Sequence, residues 1–215
     1  MTKTKREVNV IFIRHGATES NLEKKYCGAA SDEDLCPEGK IALEEKKEKG
    51  IYPAVDFLFC GKKKRCISTA RIIYPDTEYK TVDAFDEIDF GDFEGKNYDR
   101  LKNQPAYVKW LESGGKAPFP NGESREEYCK KMWNGFLEIL DEIDETAAGE
   151  KEHENKPKTT PVNMGIVVHG GTIMAILSKI TGGEYFDFQT GCGCGFFCRI
   201  YETETGFGGE VTALD

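Results

Sequence analysis

The alternation of short apolar runs with helical segments is the feature that most constrains this fold. The runs cover residues 8–13, 55–60 and 164–168 and are rich in β-branched or aromatic side chains. Helical spacing of apolar residues recurs between and after them, over residues 37–49, 65–74 and 172–180. Runs this short are typical of buried strands. Because strands alternate with helices, we predict an α/β fold whose central sheet is mostly parallel.

Length and charge narrow the class of protein further. The chain has 215 residues, 39% of them hydrophobic, which fits one domain over residues 1–215 with a polar surface insertion near 146–161. A net charge of −9 argues against a nucleic-acid partner, because binding phosphate backbones needs a basic surface. No run approaches the roughly 18–20 apolar residues that span a membrane, and no secretory leader is evident, so we expect a cytoplasmic protein.

Two of the three histidines directly follow predicted strands. His15 comes after the first strand beside Arg14, and His169 follows the third and precedes two glycines and a helix. Parallel sheets bind ligands beyond the carboxyl ends of their strands, and a helix N-terminus favours an anion. An imidazole can serve as nucleophile in phosphoryl transfer, with arginines stabilising the charge and a carboxylic acid protonating the leaving group. Arg65 and Glu87 are candidates for these two supporting roles.

Each candidate alone has an ordinary alternative. A lone histidine at a strand end is more often a core residue, and a lone arginine more often forms a surface ion pair. Glu87 lies in an acidic stretch that would usually be solvated. His153 lies in the polar insertion and is expected at the surface. The functional interpretation therefore depends on the whole set of residues.

Four sequence blocks carry that set in order. They read IFIRHGATESN at residues 11–21, KRCISTARII at 64–73, EIDFGDFEG at 87–95 and VVHGGTIMAIL at 167–177, with NGES at 121–124 before the longest helical signal, residues 123–145. These blocks resemble those of the histidine phosphatase superfamily, the phosphoglycerate-mutase-like proteins. The resemblance covers about residues 8–200. It implies a three-layer α/β/α sandwich with a mostly parallel central sheet.

The resemblance also implies a role for each site residue. His15 would be the phosphorylated nucleophile, and Glu87 the general acid and then the base for water. The other implied contacts to phosphate or substrate come from Arg14, Arg65, His169, Asn21, Gly28 and Gly170. No metal or cofactor is implied, because arginine charge takes the place of a Lewis acid.

Three functions stay open at this stage. The acidic block and the RHGATESN form resemble the phosphatase branch, which includes alpha-ribazole and broad-specificity phosphatases, and predict hydrolysis of a small phosphorylated metabolite. The mutase branch more often has Arg after the Glu and RHGES-x-W-N in the first block. A cofactor-dependent phosphoglycerate mutase is the alternative, and a non-catalytic phospho-ligand-binding protein is the third. A homodimer is compatible with the sequence.

Two further clusters invite a functional hypothesis. The basic run of Lys62, Lys63 and Lys64 is either a solvated loop or a contact for a second anionic group on the substrate. The spacing of Cys192, Cys194 and Cys198 is a weak zinc pattern without an evident fourth ligand, so reduced thiols without a metal are expected.

Overall fold

The computed structural model describes residues 7–150, 161–204 and 206–215, with residues 145–150 described by backbone alone. Within these residues, six strands form one sheet in the order β3-β2-β4-β1-β5-β6. The strands are β1 Glu7–Arg14, β2 Phe57–Gly61, β3 Tyr79–Val82, β4 Val162–Val168, β5 Gly195–Thr203 and β6 Gly206–Leu214. The first four strands are mutually parallel where they pair, whereas β5 runs antiparallel to both β1 and β6.

Helices cover both faces of this sheet. They are α1 Glu19–Leu22, α2 Pro37–Glu48, α3 Lys64–Ile73, α4 Tyr98–Leu101, α5 Pro105–Glu112, α6 Arg125–Glu150 and α7 Gly170–Thr181. Short 3-10 turns occur at Asp83–Phe85, Gly91–Phe93 and Tyr185–Phe188. Among the described residues, no helix is long and apolar enough to cross a bilayer.

Alternation along β1 explains why the sheet is covered on both sides. Val10 and Phe12 are fully buried against the α6 and α7 side, whereas Ile11 and Ile13 are fully buried against the α2 and α3 side. Successive side chains of a strand point to opposite faces, so a strand that is apolar at every position needs two apolar layers around it. The predicted three-layer α/β/α architecture is confirmed.

Three departures from the sequence-based expectation stand out. Helix α6 continues through Glu150, so the first five residues of the predicted insertion are helical rather than loop. Alanines at 147 and 148 favour that extension. The remainder of the insertion, residues 151–160 with His153, lies outside the described residues. Strand β6, which is glycine-rich at its start, and the short helices α4 and α5 were not predicted.

The sheet places two histidine segments side by side. Strands β1 and β4 are parallel neighbours, and Arg14 aligns with Val168 at their carboxyl ends. The residues that follow, His15 and His169, therefore leave the sheet at the same edge. Strand β2, on the other side of β4, ends just before α3, which carries Arg65.

Candidate active site

The two histidines meet at the carboxyl edge of the sheet. The backbone N–H of His15 donates to the carbonyl of Val168 at 2.9 Å, which ties the two strand ends together. The imidazole centroids lie 5.2 Å apart, with the rings at 69° to each other. His15 retains 3% of its surface and His169 none. The sequence-predicted pair is thus brought into one buried location.

The surroundings of His15 determine which of its nitrogens is free. Its Nδ1 lies 2.8 Å from the carbonyl oxygen of Gly16, and a carbonyl only accepts, so Nδ1 carries the proton. Nε2 of the neutral ring then keeps its lone pair. Burial lowers the pKa of His15 well below its ordinary value, and the Arg65 and Arg14 charges lower it further. The ring is therefore neutral, as a nucleophile requires.

Two neighbouring segments hold the backbone around this histidine. The Gly16 N–H donates to the hydroxyl of Thr69 on α3 at 2.9 Å. The Gly193 N–H lies within 3.0 and 3.1 Å of the carbonyls of Arg14 and His15. A backbone fixed by contacts with α3 and with the segment before β5 keeps the histidine in position, so little reorganisation is needed for reaction.

Two guanidinium groups flank the histidines. Arg14 donates through Nη1 to the Thr190 carbonyl at 2.7 Å, and Arg65 donates through Nη1 to the Ser31 carbonyl at 3.0 Å. Arg65 has no exposed surface. In the described part of the chain, the Nε–H groups of both arginines are buried without an acceptor. Buried donors of this kind are normally paired, and an anion such as phosphate would supply the acceptors.

Glu87 supplies the carboxyl group. It is 8% exposed, and its Oε1 accepts from its neighbour Ile88 N–H at 3.0 Å and from the Tyr128 hydroxyl at 3.2 Å. Burial raises the pKa of Glu87, although these hydrogen bonds and the nearby Arg65 and Arg14 charges oppose the shift. A carboxyl with a raised pKa can hold a proton for a leaving group.

His169 lies between this carboxyl and a thiol. Its Nδ1 is 3.6 Å from Oε2 of Glu87, beyond a hydrogen bond, and its Nε2 is 3.6 Å from Sγ of Cys66. Burial lowers the pKa of His169 well below its ordinary value, with further lowering from His15 and Arg65. The lowered pKa of His169 favours the neutral imidazole, and the raised pKa of Glu87 favours the neutral carboxylic acid. A bound phosphate dianion would favour the protonated imidazole instead.

The three predicted substrate contacts lie in different settings. Gly170 opens α7 and lines the cavity described below, next to the Arg14 side chain. Gly28 donates its N–H to Glu94 at 2.9 Å and accepts from Arg65 at 3.5 Å, so it holds the arginine in place. The side-chain Oδ1 of Asn21 accepts from the N–H of Thr18 at 3.1 Å, in the capping box of α1. Asn21 and Gly28 are not part of the cavity lining.

A cavity of about 650 Å³ opens beside these groups. Arg14, Glu87 and Gly170 line the part of it that we call the inner end, whereas the buried His15, Arg65 and His169 are not among its lining residues. We call Arg14, His15, Arg65, Glu87 and His169 the inner site. The rest of the lining includes Ile88, Met174, Gln189 and Thr190 together with aromatic rings and one arginine. We call these rings and the arginine the outer wall: Tyr26, Phe90, Trp110, Phe119, Arg125, Tyr185 and Phe186.

Two functional candidates were missed by the sequence. Tyr128 lies within the longest helical signal of the sequence, on the buried face of α6, and its hydroxyl contacts Glu87 and, at 3.0 Å, the hydroxyl of Thr172. Arg125 follows the NGES block and was not singled out. A tyrosine on an otherwise hydrophobic helix face is the signal that could have marked Tyr128, since a buried hydroxyl needs a partner.

The basic run and the cysteine cluster have structural partners. Lys62 and Lys63 lie 3.6 and 3.5 Å from Asp86, and Lys64 lies 3.5 Å from Asp32. None of these three described lysines lines the cavity.

The three clustered cysteines have separate surroundings. Cys192 contacts Asn21 at 3.5 Å, Cys194 contacts Lys46 at 3.1 Å and Cys198 is fully buried in the core. In the described ranges, the grouping of potential metal ligands is Glu19, Cys36 and Glu38, which does not include these cysteines.

Comparisons with known proteins show the family of this chain. The model of the histidine phosphatase superfamily (branch 1) matches residues 10–193. The 2,3-bisphosphoglycerate-dependent phosphoglycerate mutase of Bartonella tribocorum is 33% identical over 80% of this chain and 81% of its own. The uncharacterized phosphatase PhoE of Bacillus subtilis is 29% identical over 81% of this chain and 78% of its own.

A solved structure extends the comparison to the fold. The phosphoserine phosphatase of Entamoeba histolytica, in complex with 3-phosphoglyceric acid, superimposes with a TM-score of 0.71 at 26% identity, over 95% of both chains.

Proposed function

The chain belongs to the histidine phosphatase superfamily, and from that premise we propose that it is a phosphomonoesterase that hydrolyses a small phosphorylated metabolite through a phosphohistidine on His15. The observation that carries the proposal is the buried His15–His169 pair with Arg14, Arg65 and Glu87 around it. A nucleophile, two cations and a proton donor at one place are what phosphoryl transfer needs.

The first step transfers the phosphoryl group to the enzyme. Nε2 of His15 attacks phosphorus, and the bond from phosphorus to the ester oxygen breaks. Glu87 gives its proton to that oxygen, so the product leaves as a neutral alcohol. Arg14 and Arg65 neutralise the charge that spreads over the three equatorial oxygens in the transition state.

The second step returns the enzyme to its starting form. The Glu87 carboxylate takes a proton from water as the water oxygen attacks phosphorus. The phosphorus–nitrogen bond breaks, inorganic phosphate is released, and Glu87 is again protonated. The raised pKa of Glu87 supports both roles, since one group must give and then accept a proton.

The mutase alternative has one specific observation in its favour, the 33% identical relative named as a mutase. We favour hydrolysis because the residue after Glu87 is Ile88, which contributes to the cavity lining and carries no charge. The mutase branch more often has arginine there. An apolar contact gives no added charge to retain a bisphosphorylated intermediate.

One experiment separates these functions. The enzyme is supplied with 3-phosphoglycerate and a small amount of 2,3-bisphosphoglycerate, and both phosphate release and isomerisation are followed. A parallel panel of phenyl phosphate and phosphoserine reports phosphate release alone, and acid-labile label is trapped from a radiolabelled substrate. We expect phosphate release to exceed isomerisation and label to appear on His15. Faster isomerisation would establish the mutase, and absence of turnover on every substrate would contradict an enzyme of this mechanism.

A further inference from the structure

The cavity is larger than the smallest phosphorylated metabolites require. Its volume of about 650 Å³ lies well inside the range of roughly 300–1,000 Å³ that pockets for drug-sized ligands occupy. The inner site accounts for a phosphate group at one end only. The rest of the space must accommodate the alcohol part of the substrate. The chemistry of the outer wall should therefore complement that part.

Rings that pack mostly edge to face make one side of this outer wall rigid, with interplanar angles of 67° to 90° in three of the four pairs and 31° between Trp110 and Phe119. Phe119 lies 5.0 Å from Phe90 and 5.0 Å from Trp110, measured between ring centroids. Tyr26 lies 5.1 Å from Phe90 and 6.3 Å from Trp110. Rings packed at such distances hold one another in place, and their faces and edges favour an aromatic guest. Aliphatic metabolites would use little of this surface.

Arg125 brings a positive charge into the otherwise aromatic lining. Its guanidinium carbon lies 5.2 Å from the centroid of Tyr185 and 5.6 Å from that of Phe186. Among the described residues, no carboxylate lies within ion-pair distance of it. Rings that lie against a guanidinium fix its plane while its N–H donors stay available in that plane, ready for a bidentate acceptor.

The position of Arg125 in its helix also suggests a role other than stability. It is the first residue of α6, where the helix dipole disfavours a positive charge. The neighbouring Ser124 and Glu127 already cap this end, since the Ser124 hydroxyl accepts from the Glu127 N–H at 3.2 Å. An arginine here does nothing for the helix that a neutral residue would not do better.

We propose that Arg125 is a specificity-determining residue that binds a carboxylate on the alcohol part of the substrate. The substrate class is a phosphomonoester whose alcohol is an aromatic group bearing that carboxylate. Arg14 and Arg125 line the same cavity as the aromatic rings, so one bound molecule can contact both cations and the rings. This inference rests on the proposed function and refines its substrate.

The basic run does not compete with Arg125 for this role. Lys62, Lys63 and Lys64 each lie near a carboxylate and lie outside the cavity lining, whereas Arg125 lines the cavity. The sequence analysis offered these lysines as a contact for a second anionic group on the substrate. The structure favours Arg125 for that contact instead.

The test compares aryl phosphates that differ only in the carboxylate. Phenyl phosphate is set against phenyl phosphates with a para carboxylate attached directly or through one or two methylene groups, which covers a range of reach. The quantity measured is the ratio of kcat/KM, carboxylated over plain, within each enzyme preparation. Partial unfolding of a variant cancels in that ratio.

We expect wild-type enzyme to prefer one carboxylated member, and Arg125→Gln to reduce the ratio about 10- to 100-fold, the range for a hydrogen-bonded charged pair. Arg125→Glu should invert the preference toward 4-(aminomethyl)phenyl phosphate. Arg71→Gln is the matched control, because Arg71 also stacks on a tyrosine, Tyr79 at 5.6 Å, but away from the cavity. Its ratio should equal that of wild type.

Three results would overturn the proposal. A wild-type ratio near one for every carboxylated member would show that the site does not recognise a carboxylate. An unchanged ratio in Arg125→Gln would show that Arg125 is not the residue that binds it. Faster turnover of 3-phosphoglycerate than of any carboxylated aryl phosphate would contradict the proposal that the alcohol part of the substrate is aromatic. In these cases hydrolysis of phenyl phosphate still stands, so the proposed function survives. Failure to hydrolyse any substrate would instead defeat the proposed function itself.

Discussion

The inner site and the outer wall of the cavity are built in different ways. The inner site consists of charged and polar groups held at strand ends, at the start of α3 and in the loop after β3, and His15, Arg65 and His169 are almost fully buried. The outer wall consists mainly of aromatic side chains from connecting segments between β3 and α6 and after α7, and Phe186 is 47% exposed. A sheet edge holds catalytic groups rigidly, whereas connections can vary without disturbing it. Under the proposed function, the inner site carries out the chemistry and the outer wall selects the substrate.

The largest expected effect comes from the nucleophile. Replacing His15 with alanine removes Nε2 and the covalent step, so we expect kcat to fall on the order of 10⁴-fold or more for every substrate. Steady-state turnover and acid-labile labelling measure this. If the inner site acts independently of the outer wall, the loss of activity should be equal for all substrates. Residual activity that differs between substrates would show that the two regions do not act separately.

The next effect concerns the proton donor. Glu87→Gln cannot donate a proton, so kcat should fall roughly 10²- to 10⁴-fold. Because burial raises the pKa of Glu87 above its ordinary 4.5, wild-type kcat/KM should fall as pH rises through that raised pKa. It should fall on the acid side only when pH drops well below 6.5, since the pKa of His15 is lowered.

The pH profile distinguishes Glu87 from its neighbour. The alkaline fall should disappear in Glu87→Gln and persist in Asp86→Asn, where the lost carboxylate pairs with lysines outside the cavity. An alkaline fall that survives in Glu87→Gln would show that another group titrates.

A smaller effect is expected at Tyr128, which acts through Glu87. Its hydroxyl bond lowers the pKa of Glu87, so Tyr128→Phe should raise that pKa further and move the alkaline fall to higher pH. We expect roughly a threefold to tenfold loss of kcat, in line with one modest hydrogen bond. Tyr107→Phe is the control, because its hydroxyl contacts Tyr26 instead. A profile that does not move would assign Tyr128 to packing alone.

The smallest effect belongs to the rim of the outer wall. Phe186→Ala removes a half-exposed ring that lies over Arg125, so KM for aryl phosphates should rise about twofold to tenfold while inhibition by inorganic phosphate stays constant. Tyr201→Ala, at an exposed ring on β5, provides the comparison. A parallel change in phosphate inhibition would show that the two regions are coupled.

Much of the inner site could be anticipated from local sequence. The first and third apolar runs end at histidines, and a parallel sheet brings such ends to one edge, as β1 and β4 do. The fold class and the superfamily were predicted from these patterns and are confirmed. The roles of the individual site residues stay predictions. Strand β6 could not be predicted from sequence, because its glycines lack the β-branched side chains that indicate a strand. It forms a strand by pairing along its length with β5.

What the sequence determined by itself is the kind of chemistry and the framework that holds it, since side-chain periodicity and the RHG and HGG strand ends are local patterns. Only the tertiary structure decided which distant groups meet: Tyr128 with Glu87, 41 residues apart, and Arg125 with the 3-10 turn Tyr185–Phe188. Such contacts arise from how helices pack across the sheet, and packing depends on the combined shapes of many side chains. No short stretch of sequence encodes them.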